Sequence, residues 1–306
     1  MPFPLLRLPL LASINVIKNF SVTQIINLIQ TFSKVQQLVK ISKYPVRLYV
    51  CPESITLKNP MNPDKLEVLI VVHSGIKEHQ EQIRFQKIHE QEVFTEWDDE
   101  MEGYKRIIEF LVENFTVKCI SFKKRDNHCE RFLEYLEYSK SRGIKFDKVI
   151  VWDRSWKDGM ADRLFSVCSN ASEVELLLKS TRNFTFNGFH ELRMNRLVLF
   201  LMGFEWFTVD HMCDLMNCSE VIVRNLTHWK AVDFNKLLKF WIQSTGRLRT
   251  VDLHSCDSVL NPEIVMNGIK KIKLDRNTTF QIQRDNGLKA RVTVENFSFC
   301  LNVIDA

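Results

Sequence analysis

The chain has 306 residues, 45% hydrophobic and 26% charged, with 22 Phe against 9 Gly and 8 Pro. That length and balance fit about two folded domains and exclude a disordered, collagen-like or small disulfide-held chain. The net charge of +5 is local: residues 1–43 hold Arg7, Lys18, Lys34, Lys40 and Lys43 with no acid, and the rest balances at 37 bases to 37 acids, which argues against a nucleic-acid module there.

The start, Met1-Pro2-Phe3-Pro4-Leu5-Leu6-Arg7-Leu8-Pro9-Leu10-Leu11-Ala12-Ser13, superficially resembles a secretion signal, but three prolines and an arginine sit where its apolar core belongs. Residues 8–40 read instead as three short helices. Pro9 suits a first turn ahead of Leu10, Leu11, Ile14 and Ile17. Ser21 is placed to cap a second helix with Val22, Ile25, Ile26, Ile29 and Phe32 on one face, and Val35, Leu38 and Val39 mark a third. So much Leu, Ile and Val exceeds what three small helices can bury alone, which implies a partner surface.

From Tyr44 the pattern turns to strands, Val46–Val50, Ile55–Leu57 and Glu67–Val72, punctuated by prolines. Residues 89–102 then carry seven acids and no base, which reads as a solvated loop or, more sharply, as an electrostatic recognition patch. From about 104 onward strands and helices alternate. Val117–Phe122, Lys148–Trp152, Val174–Leu178, Arg196–Phe200, Val221–Arg224 and Arg249–Leu253 recur at steps of about 22 to 31 residues, with amphipathic helices between them. This spacing predicts an α/β fold in which a degenerate leucine-rich-repeat-like β/α solenoid follows the helices. A last helix after Pro262 and the segments Phe280–Gln283 and Ala290–Val294 close the array.

No GxSxG, HExxH, GxxxxGK[ST] or GxGxxG motif occurs, so no standard nucleophile, zinc or phosphate geometry is encoded locally. His211, Cys213 and Cys218 have the wrong spacing for a shared metal, and His254 with Cys256 merely alternate on a strand. The eight cysteines form no CxxC pair and read as reduced core residues of an intracellular protein. The Phe-rich stretch 184–189 reads as core packing. No catalytic residue, metal or cofactor is expected, and no run of about 20 apolar residues offers a membrane span.

The Leu8-Pro9-Leu10-Leu11 opening, followed by Ile14, Ile17, Phe20, the Ser21 turn, Ile25-Ile26-Asn27-Leu28 and Leu38-Val39-Lys40, resembles the F-box of the large nematode F-box family. Downstream, Thr227-His228-Trp229, the run Asp233 to Ile242 and Arg247 to Leu253 are similar to the type 2 F-box-associated domain of that family. The resemblance implies an F-box over 1–43 and an associated domain over 44–306. The latter divides into a β-rich opening region over 44–103, containing the acidic loop 89–102, and a strand/helix array over 104–306. It implies a non-catalytic substrate receptor of a Skp, cullin and F-box ubiquitin ligase, cytoplasmic or nuclear, with no nucleic-acid or membrane partner. Leu8, Pro9, Leu10, Ile14, Ile17, Ile25, Ile26 and Leu28 would meet the Skp-type adaptor, and through it a cullin. An unknown protein substrate would meet the strand row. There Glu175, Arg224 and Asp252 are charged residues inside apolar strands, where an unpaired charge is costly to bury, so they should face outward. The alternative is a solenoid interaction module outside any ligase, its N-terminal helices serving only as a cap.

Overall fold

In the computed structural model, which describes residues 5–51, 54–58, 68–74, 86–89, 92–97, 99–124, 129–152, 159–178, 184, 186–202, 206–255, 259–275 and 278–304, the N-terminal segment forms three helices. A single 3-10 turn, Leu5–Arg7, leads into α1 (Leu10–Lys18), for which Pro9 serves as the N-cap residue. The buried Ser13 hydroxyl ties turn to helix by donating to the Leu5 and Leu8 carbonyls at 3.1 and 3.3 Å. Helix α2 (Val22–Thr31) begins in a capping box: Ser21 Oγ accepts from Gln24 N–H, and Gln24 Oε1 accepts from Ser21 N–H at 2.8 Å. Helix α3 (Ser33–Ser42) stops at Lys43, which takes a left-handed φ of 49°. Ile17, Val22, Ile25, Ile26, Val35 and Val39 fill the space among the three helices and beneath them.

The chain divides into two compact units, Met1–Lys123 with Glu134–Asp147, and Lys124–Leu133 with Lys148–Ala306. In the first, the Tyr44 hydroxyl donates to the Phe20 carbonyl at 2.9 Å, anchoring the step from α3 to β1 (Pro45–Cys51). Strands β2 (Ser54–Lys58), β3 (Val68–Ser74), β4 (Gln86–His89), β5 (Glu92–Trp97) and β6 (Thr116–Lys124) give the lateral order β6-β1-β2-β3-β5-β4. Val46, Leu48 and Val50 alternate inward along β1, the period expected of a half-buried strand.

The acidic stretch is not a loop. Glu92–Trp97 is strand β5, and Glu100–Asn114 is a 15-residue helix, α4. Asp99 caps that helix by accepting from Met101 N–H at 2.9 Å, and Glu100 and Glu102 occupy its first turn. Acids at a helix start are stabilised by its unpaired N–H groups, which is why the charges of Asp99, Glu100 and Glu102 are compatible with α4. Glu90 and Asp98 lie outside the described residues.

Helix α5 (Cys129–Ser141), most of which belongs to the first unit, precedes β7 (Phe146–Trp152) in sequence. The second unit carries a large sheet, in which α6 (Met160–Cys168) precedes β8 (Glu173–Leu178) and β9 (Arg196–Leu201) follows a short 3-10 turn. Helix α7 (Val209–Asp214), β10 (Glu220–Leu226), α8 (Ala231–Gln243) and β11 (Thr250–Ser255) continue the alternation. Consecutive strands from β7 to β11 pair in parallel, the arrangement that crossover connections produce. All six strands proposed from β6 to β11 fall where their apolar runs lie.

After α9 (Pro262–Val265) come β12 (Lys271–Lys273), β13 (Thr279–Gln283), β14 (Lys289–Glu295) and β15 (Ser298–Ile304). Here the order reverses: β15 pairs antiparallel with β11, and β14, β13 and β12 follow in an antiparallel meander. An aromatic chain threads this unit's core. Phe165 stacks on Phe186 at 4.8 Å, Phe186 meets Phe189 edge-on at 4.9 Å, Phe207 lies parallel to Trp229, and Phe234 bridges Trp229 and Phe299 at 5.2 Å each. The Phe-rich stretch is therefore core. Cys119, Cys168, Cys213 and Cys218 are buried, whereas Cys51 is exposed and so departs from the expectation of core cysteines.

Candidate functional site

Two surfaces carry the candidate residues. On the N-terminal helices the apolar residues split. Ile17, Ile25 and Ile26 are buried, so they support the helices from within rather than face a partner. Leu8, Ile14 and Leu28 are half-buried and Pro9 is exposed. Leu10 is 52% exposed and Leu11, not among the residues singled out from sequence, is 76% exposed. Phe32 and Ile41 are exposed as well. The signal for Leu11 was present in its place beside Leu10, but a helical period identifies a face without saying which face the fold covers.

In the second unit the strands alternate cleanly. Val174 and Leu176, Val221 and Val223, and Val251 and Leu253 are buried on one side, which puts Glu175, Ile222 and Asp252 on the other; Arg224, two residues beyond Ile222 along β10, shares their side. Arg224 and Asp252 meet: Arg224 Nη2 donates to Asp252 Oδ2 at 2.6 Å, and His254 Nε2 lies 3.1 Å from Asp252 Oδ1. The Arg224 hydrogen bond, reinforced by the Arg224 and His254 charges, outweighs burial and holds the Asp252 carboxyl below the usual carboxylate range. Glu175 is not part of that cluster; Val198 and Ile222 lie between it and Asp252 along the row. Its Oε1 accepts instead from Trp152 Nε1 at 3.0 Å.

Sequence reasoning missed two further features of this face. A row running Lys148, Glu173, Arg196, Glu220 alternates in sign, with Lys148–Glu173 and Arg196–Glu220 ion pairs at 3.2 and 3.3 Å. At the other ends of the strands Trp152, Leu177, Phe200 and Arg224 form a second row, with Trp152 edge-on to Phe200 at 5.9 Å. Either row requires strand register, which the sequence does not supply.

The face thus carries half-exposed apolar side chains, Trp152, Leu177 and Phe200, beside paired charged groups. Among the described residues no group of three or more His, Cys, Asp or Glu is arranged to hold a metal ion. Burial pushes the Cys213 and Cys218 thiols up to about 11, which keeps them protonated and poorly nucleophilic. Cys256 lies outside the described residues. Among the described residues no helix is long and apolar enough to cross a membrane.

The chain is 24% identical over 212 residues to the Skn-1 dependent zygotic transcript 15 protein of Caenorhabditis elegans, an alignment covering 63% of this chain and 60% of that protein. It is similar to a nematode protein. The chain thus spans about three-fifths of the length of the relative it matches. No family model and no solved structure matches the chain.

Proposed function

We propose that the chain is a non-catalytic substrate receptor of a Skp, cullin and F-box ubiquitin ligase, acting inside the cell. The N-terminal helices dock on the acidic Skp-type adaptor, which links them to a cullin. A β/α solenoid resembling a degenerate leucine-rich-repeat array presents its strand face, with Glu175, Arg224 and Asp252, to a protein substrate. The observation that carries this reading is the exposure of Leu10 and Leu11 at the start of a helical unit with five bases and no acid. Exposed leucines supply apolar area, and the surrounding cations favour an acidic partner and exclude a basic one. A nematode relative accords with a resemblance to a nematode family.

A second reading, in which the helices only cap an interaction module outside any ligase, is favoured by their membership of the same compact unit as β1 to β6. Co-expression with a Skp-type adaptor separates the two. The unaltered chain should co-purify with the adaptor, and both Leu8→Asp and the double change Pro9→Ala with Leu10→Ala should abolish this without changing the melting temperature. Retention of the adaptor by both folded variants overturns the ligase reading.

A further inference from the structure

The end of the second unit's sheet has an open edge. Strand β12 is outermost in the order β12-β13-β14-β15-β11, and among the described residues no strand lies beyond it. Its pairing with β13 runs Lys271 to Ile282, Ile272 to Gln281 and Lys273 to Phe280, and the Leu274 N–H extends the ladder by donating to the Thr279 carbonyl at 2.9 Å. In an antiparallel pair hydrogen-bonded residues alternate, so Ile272 and Leu274 direct their backbone groups at β13. The N–H and C=O groups of Lys271 and Lys273 therefore point off the edge.

The side chains are equally open. All of residues 270–274 are exposed, Ile272 to 62% and Leu274 to 46%. Lys271 lies over the Phe280 ring at 5.8 Å and donates from Nζ to the Met266 carbonyl at 2.9 Å, which puts the two edge lysines on the core side and Ile272 and Leu274 on the opposite side. Residues 270–291 carry seven bases against two acids, Asp275 and Asp285. One of those bases, Arg284, is buried and donates to backbone carbonyls; Lys270, Lys271 and Lys273 stand at the edge itself, and the exposed Lys289 and Arg291 lie two strands in, on β14.

We propose that β12 accepts an extended acidic segment of a partner protein as an added strand. The outward N–H and C=O groups of Lys271 and Lys273 make the ladder. Acids alternate with apolar residues in the incoming strand, so that acids face the lysines and apolar side chains cover Ile272 and Leu274. Lysine on an edge also discourages a second copy of this chain. Antiparallel self-pairing centred on Ile272 would set Lys271 against Lys273 of the other copy, and like charges directly opposite are destabilising. Nucleic acid is the poorer fit, because single strands bind through aromatic stacking and Ile272 and Leu274 offer none. This edge is independent of the adaptor reading and of the strand face described above.

The test uses the full chain and a fluorescein-labelled peptide of alternating Glu and Val, read by fluorescence anisotropy. The acidic peptide should bind with a salt-sensitive affinity, whereas its Lys-Val counterpart should not bind. Lys273→Pro removes one outward donor along with the charge, without breaking the β12–β13 ladder, so it should leave the melting temperature unchanged and bind about three- to tenfold more weakly than Lys273→Gln, the worth of one hydrogen bond. Lys273→Gln should keep the donor and lose only the salt-sensitive part. The same Glu-Val peptide N-methylated at alternate residues should lose binding to the unaltered chain, an arm that stands even where Lys273→Pro fails to fold. Equal affinity of the parent and N-methylated peptides, absence of peptide binding, concentration-dependent self-association through this edge, or displacement of the peptide by poly-uridine RNA overturns the proposal.

Discussion

The Arg284 guanidinium lies over the Trp241 ring, 4.3 Å from its centre, while Arg284 Nε donates to the carbonyl of that same tryptophan at 3.0 Å. Its Nη atoms reach the Gly246 and Leu248 carbonyls at 2.7 and 3.3 Å, and Trp241 Nε1 donates to Leu248 at 3.1 Å. One buried side chain thus satisfies carbonyls at the end of α8 and in the loop that follows, groups that a helix leaves orphaned. Trp241→Ala should cost about 3–5 kcal/mol. Arg284→Met, which takes the guanidinium donor from the Gly246 carbonyl while Trp241 Nε1 and Ser244 still serve the other two, should cost about 1–3 kcal/mol by urea denaturation. Arg284→Lys should not restore the loss, since a single ammonium cannot reproduce the planar fork. Wild-type stability in the lysine variant would show that charge alone suffices.

The same loop cannot accept a side chain at Gly246. A Cβ there would stand 2.5 Å from the Met216 carbonyl oxygen, a backbone atom that cannot swing aside. Gly246→Ala should therefore destabilise the protein by about 1–3 kcal/mol despite alanine's lower unfolded-state entropy. A thermal melt equal to wild type would mean that the loop relaxes freely.

In the N-terminal helices core and surface should separate by mutation. Ile25 is fully buried, and Ile25→Ala should cost about 2–5 kcal/mol. Leu11 is exposed, and Leu11→Ala should change stability by less than about 0.5 kcal/mol while weakening any adaptor complex. Denaturation curves for the two variants, set beside adaptor pull-downs, check the division. A destabilised Leu11→Ala would assign that residue to packing.

Much of this architecture is written locally. Val221-Ile222-Val223 is a β-branched run and its counterparts Leu176-Leu177-Leu178 and Leu197-Val198-Leu199 are short apolar ones, and strands form where they lie. Lys271–Lys273 and Ser298–Ile304 escape such a reading because they become strands only by pairing with β13 and with β11 and β14. The stretch 89–102 misleads for a different reason: Asp99 accepts from an N–H at the start of α4, and Glu100 and Glu102 lie in its first turn, a setting that charge counting does not see. The outward aim of Glu175, Arg224 and Asp252 is legible from their apolar neighbours. That Arg224 and Asp252 neutralise one another is not, because it depends on the register of β10 against β11.

That ion pair is partly solvated, its side chains 28% and 27% exposed, so its contribution should be modest. A double-mutant cycle of Arg224→Met and Asp252→Asn should give a coupling of about 1 kcal/mol at neutral pH, reduced by salt. The Asp252 pKa is depressed in the folded state, so the stabilisation is present above the unfolded carboxylate value of about 3.9 and is lost as pH falls through the lower folded value. The coupling should therefore survive at pH 5 and disappear only in strong acid. A coupling already lost at pH 5 would mean that the pair does not depress Asp252.

His211 gives the clearest pH dependence. It is the third residue of α7, and its Nδ1 accepts the Thr208 N–H at 3.1 Å, while its ring lies 5.3, 6.1 and 6.0 Å from those of Phe189, Trp206 and Phe207. Burial beside these rings lowers its pKa, outweighing the nearby Asp214 and Asp210 carboxylates. A histidine with a depressed folded pKa is most compatible with folding while neutral. Its stabilising state is present above the unfolded value of about 6.5 and is lost as pH falls through the lower folded value. Protonation also removes the lone pair that caps the helix. His211→Gln keeps an acceptor for the Thr208 N–H and removes the titration. The stability difference between wild type and His211→Gln should be flat above about pH 7 and should shift against the wild type as the pH is lowered toward 5. Thermal melts across that range measure it directly, and a difference that stays constant down to pH 5 would show that the buried imidazole accepts its proton without cost.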